Sequence, residues 1–293
     1  MTTRRDFLVG SGLAALALKL RPREVAQAKM RLGYAAITWG DDFLRAIDEI
    51  AEVGYQGIQL RANVLPRFQQ RPAELKDLLG RKGLTFVALS SGNLNLDPAR
   101  EEAQIAEHVS RARFLRDAGG LYLQIIDERP AGRPAVADDY RRMGQLLTKL
   151  GERTADLGIP VAYHPHMGAL GEKPDEVERV LEATDPKLVK LLLDVAHYQQ
   201  GGGDPAAAIR RHRDRLAMLH LKDVETRRDG GRDSYRFVEL GKGRVDLPGV
   251  LTALRDIGFG GWGIVELDAV PDGARSAKES AVMSKRYLES LSS

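Results

Sequence analysis

The chain has 293 residues, 43% of them hydrophobic, 29% charged and 6% aromatic, and it contains no cysteine. That composition suits one large globular domain or two small ones. The missing thiols exclude a disulfide scaffold, a cysteine-ligated zinc or iron–sulfur centre and a thiol nucleophile. The formal charge of +3 does not signal a nucleic-acid partner, because Arg4, Arg5, Lys19, Arg21 and Arg23 against Asp6 and Glu24 account for all of it. Beyond residue 28 the charges balance. No apolar run is long enough to span a bilayer.

In chain order, residues 1–28 read as an export address. Thr3-Arg4-Arg5-Asp6-Phe7-Leu8 resembles a twin-arginine motif, a mildly apolar stretch runs from Val9 to Leu18, and Ala26-Gln27-Ala28 supplies a small-residue cleavage pattern. The expectation is a periplasmic or extracellular protein, exported folded, with residues 29–293 as its mature domain.

From residue 31, β-rich runs alternate with amphipathic helical stretches. The runs are Arg31–Ile37, Gly57–Arg61, Thr85–Leu89, Leu121–Ile126, Pro160–Tyr163, Val189–Leu193, Leu216–Leu221 and Gly263–Leu267. Eight strand–helix units predict a parallel sheet, and residues 29–293 match the roughly 250 residues typical of a (β/α)8 TIM barrel. A doubly wound sheet is the alternative, but no run is followed by a Gly-x-Gly-x-x-Gly turn. Asp97-Pro98, Asp204-Pro205 and Asp246-Leu247-Pro248 predict helix starts. Gly54, Gly83, Gly158 and Gly258 predict helix ends. The polar, glycine-rich stretch Glu225–Arg236 lengthens the connection between the seventh and eighth runs, on the rim where barrels build their active sites.

Chemistry concentrates at the ends of the last four runs. They deliver His164 and His166, then Asp194 and His197, then His220, Lys222 and Asp223, then Glu266 and Asp268. Imidazoles and carboxylates converging on one rim predict a metal site of His164, Asp194, His220 and Glu266. Mixed nitrogen and oxygen donors suit Mn²⁺, with Co²⁺, Fe²⁺, Zn²⁺ or Mg²⁺ as other candidates. His166 is either an alternative ligand from the fifth run or a residue facing substrate. Lys222 either touches a substrate oxygen or pairs with Asp223 on the rim. His108 and His212, in charged helical segments, are expected on the surface.

The motifs Leu193-Asp194-x-x-His197, His220-Leu-Lys-Asp223, Gly241-Lys-Gly-Arg-Val-Asp246 and Val265-Glu266 resemble the xylose-isomerase-like sugar isomerase and epimerase barrels, over about residues 31–288. Ile37-Thr38-Trp39, Tyr163-His-Pro-His166-Met-Gly168 and Gly201-Gly-Gly-Asp204-Pro205 look most like the inosose dehydratases within that group. The resemblance implies one divalent ion, commonly Mn²⁺, with Asp194, His220 and Glu266 as ligands. It implies contact with substrate or metal for His197, and a substrate-binding place for Trp39. Many epimerases of the group carry glutamate where His164 stands, and use it with the glutamate of the last strand as a two-sided acid/base pair.

An ion chelated by a carbonyl and its neighbouring hydroxyl acidifies the carbon between them and stabilises the enediolate left by proton removal. The expected function is therefore a sugar isomerase or epimerase acting on an unphosphorylated keto-sugar or cyclitol. Glu266, His197 and His164 are the candidate acid/base groups. The alternative is a lyase, dehydrating an inosose or 3-keto-sugar by β-elimination. A non-catalytic sugar-binding barrel would use the same residues. An AP-endonuclease-like nuclease of the same fold group would need further ligands from the first four strands, which offer no histidine, and a basic footprint that the body lacks. The expected partner is a small molecule, with no nucleic acid and no membrane span. Assembly with further copies of the chain is left open.

Overall fold

The computed structural model describes residues 30–226 and 234–291; the segment read as an export address and the centre of the glycine-rich stretch lie outside these residues. Ten strands are present in the described residues: β1 (Arg31–Ala35), β2 (Gly57–Arg61), β3 (Thr85–Leu94), β4 (Tyr122–Asp127), β5 (Val161–Tyr163), β6 (Val189–Asp194), β7 (Leu216–Leu221), β8 (Asp223–Thr226), β9 (Tyr235–Val238) and β10 (Trp262–Val265). Eight of them pair in parallel and close into a barrel in the order β1-β10-β7-β6-β5-β4-β3-β2. The predicted (β/α)8 architecture is the one observed. β8 and β9 form an antiparallel hairpin on the rim, so the described part of the long connection is ordered rather than a plain loop.

Helices α1 (Phe43–Val53), α2 (Leu65–Phe68), α3 (Pro72–Arg81), α4 (Glu101–Asp117), α5 (Ala137–Ala155), α6 (Pro174–Glu182), α7 (Val195–Gln200), α8 (Pro205–Arg211), α9 (Leu247–Asp256) and α10 (Ala277–Ser290) occupy the connections and the C-terminal end. The expected caps are in place. Asp204 accepts from the amide of Ala207 at 3.1 Å and Asp246 from that of Gly249 at 3.0 Å, satisfying free first-turn donors. Asp97 does the same, for a 3-10 turn, Pro98–Arg100, leading into α4. The four predicted helix-ending glycines all have positive φ. Two strand ends differ from expectation. β1 stops at Ala35, because Ala36–Trp39 turns as a 3-10 helix toward α1. β3 runs on to Leu94 through an irregular register against β4.

The core has two layers. One lies between sheet and helices. The other fills the barrel with Ala35, Val87, Ala88, Ala162, Leu192, Met218, Trp262 and Ile264. Space inside is tight: a Cβ on Gly57 would stand 2.5 Å from the Trp262 ring and 2.6 Å from a Val87 methyl. This apolar plug closes the lower barrel and leaves the C-terminal rim to polar side chains.

Candidate metal centre and cavity

Strand parity decides what stands above the plug. Side chains alternate along a strand, so Met218 in the core is followed on the same side by His220 and Lys222. Leu192 is followed by Asp194, Ala162 by His164, and Ile264 by Glu266. Register aligns them: Asp194 lies opposite His220 across β6–β7, and Ile264 opposite His220 across β7–β10. His164, Asp194, His220 and Glu266 are thereby brought together, all buried, with one ligand atom from each within 4.8 Å of the others.

Three of the four are held so that one atom is left over, while both oxygens of Glu266 have partners in Lys222 and Gln59. Asp194 caps α7 through Oδ1, accepting from the amides of Ala196 at 2.9 Å and His197 at 3.0 Å. Its Oδ2 is buried without a hydrogen-bond partner, as are His164 Nδ1 and His220 Nδ1. His220 Nδ1 lies 3.5 Å from both Asp194 Oδ2 and Glu266 Oε1. Leaving a polar atom buried and unpaired costs about 1–3 kcal/mol. Three such atoms aimed at one point, with a carboxylate beside them, match the donors of a borderline divalent cation. The residues fit such an ion.

The surrounding charges agree. Burial would raise the pKa of Asp194, but His197, Lys222 and His220 hold it well below the usual carboxylate range. Burial, reinforced by His220, pushes His164 well below the ordinary imidazole value and keeps it neutral, as a ligand must be. Burial also opposes the charge of Lys222, yet the carboxylates of Glu266, Asp194 and Asp268 raise its pKa above that of an ordinary lysine. Its Nζ lies 3.0 Å from Glu266 Oε1 and 2.6 Å from Asp268 Oδ1. Phe237 of the hairpin covers it, the ring centroid 3.9 Å from Nζ.

Lys222 and Asp223 do not pair, because successive strand residues face opposite sides. Asp223 instead accepts amide hydrogens from Gly241, Gly243, Val224 and Val245 at 2.9–3.0 Å. The Gly-Lys-Gly segment is therefore a carboxylate-bound turn whose glycine amides are already engaged. A Cβ on Gly243 would come within 2.2 Å of Asp223 Oδ1.

A cavity of about 120 Å³ opens over the centre, lined by residues including Ile37, Gln59, Arg61, Gln124, His164, His166, Glu266 and Asp268. His166 reaches it; His197 does not line it but stacks on His166, ring centroids 3.7 Å apart. The backbone of Met167 joins the two: its carbonyl lies 2.7 Å from His166 Nδ1, and its amide donates to His197 Nδ1 at 3.3 Å. His164, His166 and His197 also form a second cluster of ligand spacing, but the Lys222 ammonium 3.3 Å from His197 Nε2 opposes a cation there. Trp39, expected to bind substrate, is not among the residues lining this cavity: its indole donates to Glu49 of α1 at 2.6 Å and lies edge-on to Tyr34. Ile37 lines the cavity in its place.

Two expectations for histidines are corrected. His108 is buried, its Nδ1 2.7 Å from Ser91 Oγ, because α4 turns that face onto β3. His212, at the end of α8, is buried against Glu178 of α6 at 2.9 Å. Gln59 and Gln124 also line the cavity, without belonging to any of the sequence motifs. The available signal was a glutamine flanked by Ile58 and Leu60, or by Leu123 and Ile125, in mid-strand; such a residue must face the barrel interior.

A family model described as Xylose isomerase-like TIM barrel matches residues 47–287, and the chain belongs to this family. Among individual relatives, the inosose dehydratase of Lacticaseibacillus casei is 29% identical, covering 89% of this chain and 96% of its own. Two solved structures share the fold. The IolI protein with a bound zinc atom has a TM-score of 0.75 at 20% identity, covering 89% of this chain and 98% of that one. The probable 3-DHS dehydratase AsbF of Bacillus anthracis has a TM-score of 0.72 at 17% identity, covering 89% and 99%.

Proposed function

We propose that the protein is a divalent-cation-dependent lyase that dehydrates a keto-cyclitol of the inosose type by β-elimination. The observation that carries this reading is the chemical asymmetry of the cavity, with imidazoles on the β5 side and the Lys222–Asp268–Glu266 group on the β10 side. Epimerisation needs an acid/base group on each face of the reacting carbon, and the carboxylate that many epimerases of the family use for the second face is replaced here by His164. Elimination needs one base and one different acid. The likeness to an inosose dehydratase over most of both chains supports the same choice, ahead of the isomerase or epimerase reading.

The residues divide the work as follows. His164, Asp194, His220 and Glu266 would hold the ion, which when bound supplies Lewis-acid polarisation of the substrate carbonyl. The Met167 carbonyl can only accept, so His166 carries its hydrogen on Nδ1 and Nε2 keeps a lone pair for the proton next to the carbonyl. The Lys222 ammonium, hydrogen-bonded to Asp268 Oδ1 at 2.6 Å, stands opposite and would pass a proton through that pair to the departing β-hydroxyl. The C–H pair becomes the new double bond, the C–O bond breaks, and water leaves. His197 and Met167 keep the His166 ring in place. Gln124, which lines the cavity, would offer its amide nitrogen to a substrate hydroxyl.

The deciding experiment incubates Mn²⁺-loaded protein with inososes in D₂O, following ultraviolet absorbance of an unsaturated ketone together with deuterium exchange. Growth of the absorbance is expected. Deuterium incorporation into recovered substrate or its epimer, with no absorbance, would overturn the lyase reading in favour of isomerisation or epimerisation.

A further inference from the structure

Gln59 is a buried polar side chain in mid-strand, between the fully buried Ile58 and Leu60. Its amide makes three contacts. Oε1 lies 2.9 Å from His220 Nε2, while Nε2 lies 2.7 Å from Gln124 Oε1 and 3.5 Å from Glu266 Oε2. A carboxylate held by an ammonium, as Glu266 is by Lys222, only accepts hydrogen bonds, so the nitrogen end of the amide faces Glu266. The oxygen end therefore faces His220. An amide oxygen also only accepts, so His220 Nε2 must carry a hydrogen. A neutral imidazole has one N–H, which leaves the lone pair on Nδ1. That is the buried, unpartnered nitrogen 3.5 Å from Asp194 Oδ2 and Glu266 Oε1.

We infer that Gln59 is a positioning residue for the cation: it selects the Nε2–H form of His220, presents Nδ1 to the ion, and steers the second oxygen of Glu266. One neutral amide thus orients two of the four ligands, and Gln124 fixes that amide by accepting its other hydrogen. A neutral group suits the place, since a carboxylate there would stand against Glu266 with like charge. The inference rests on the cation reading of the site, and Gln59 acts through His220 and Glu266 on how well the ion is held.

The test is Co²⁺ titration of the full-length parent and two variants, followed by the metal's visible absorption. Gln59→Met keeps volume but removes the acceptor, and should weaken Co²⁺ binding about 10- to 100-fold, as loss of a partner behind a ligating histidine does. Gln124→Leu frees the Gln59 amide but leaves its oxygen as the acceptor for His220, and should lose less. Parent-like affinity and spectrum in Gln59→Met, or equal losses in both variants, would overturn the inference. Should Gln59→Met fail to fold, the parent decides alone: histidine ¹⁵N spectra of Zn²⁺-loaded protein should show His220 metal-bound at Nδ1 and protonated at Nε2, and the reverse pattern would refute it. A parent that takes up no Co²⁺ would refute the cation reading itself, and this inference with it.

Discussion

At His166 a single carbonyl sets up the proposed base. With the Met167 oxygen holding the Nδ1 hydrogen, His166→Asn removes the lone pair at Nε2 without touching the four ligands. Turnover should fall by at least about 10²-fold while Co²⁺ affinity stays at the parent value; steady-state kinetics beside a metal titration checks both. Asp127 gives a second residue-level expectation. Burial raises its carboxyl to about 6, against hydrogen bonds from the Tyr163 hydroxyl and the Gly171 amide. Between the unfolded value near 4 and that raised value, the native state binds more protons than the unfolded one, so this group's contribution to stability falls as pH rises through the window. The loss approaches about 3 kcal/mol. Asp127→Asn cannot ionise, so its stability relative to the parent should be higher at pH 7 than at pH 4.5 by about 2 kcal/mol, part of the loss having already occurred below pH 4.5, measured by urea unfolding. His164, Asp194, His220 and Glu266 could be read from the sequence because each ends an apolar strand with a metal-binding side chain. His108 could not, since α4 alternates charges closely enough to hide its buried face.

Among the elements, the Asp-initiated helices and glycine-ended turns were legible because caps are local, made within three or four residues of the chain. The hairpin was not. Its strands are four residues each and flank a glycine-rich stretch, and what holds them is the rim of the barrel: Phe237 packs on His197 and Lys222. Asp223 anchors the base of this excursion by gathering four amides from two separate segments. Asp223→Ala would leave those donors poorly matched. At 1–3 kcal/mol for each group left unsatisfied, and with water reaching some of them, a loss of roughly 3 kcal/mol is expected. It should appear as a lower urea midpoint with an unchanged m-value, since the barrel itself stays intact. A change under about 1 kcal/mol would mean that the turn holds without its carboxylate.

For the whole molecule, the cation reading ties stability to metal. An ion that binds only the native state at a hundred times its Kd adds about 2.7 kcal/mol, which for a domain of this size raises Tm by roughly 5–10 °C. Mn²⁺ should produce such a shift, a chelator should reverse it, and Asp194→Asn should abolish it. The export reading of residues 1–28 remains a proposal drawn from their motifs; protein recovered from cells should begin after Ala28, and an N-terminus at Met1 in the mature fraction would refute it. The eight-fold strand–helix repeat, the caps and the ligand-bearing strand ends were open to direct reading, because alternation, helical period and cap chemistry act over a few residues. Where Trp39, Gln59 and Lys222 stand was decided only by closure of the barrel. The fold sets Trp39 against Glu49 and Gln59 against His220, and sinks Lys222 among carboxylates from two other strands. Those contacts join residues far apart in the chain, and local sequence pattern carries no information about which distant side chains will share the interior.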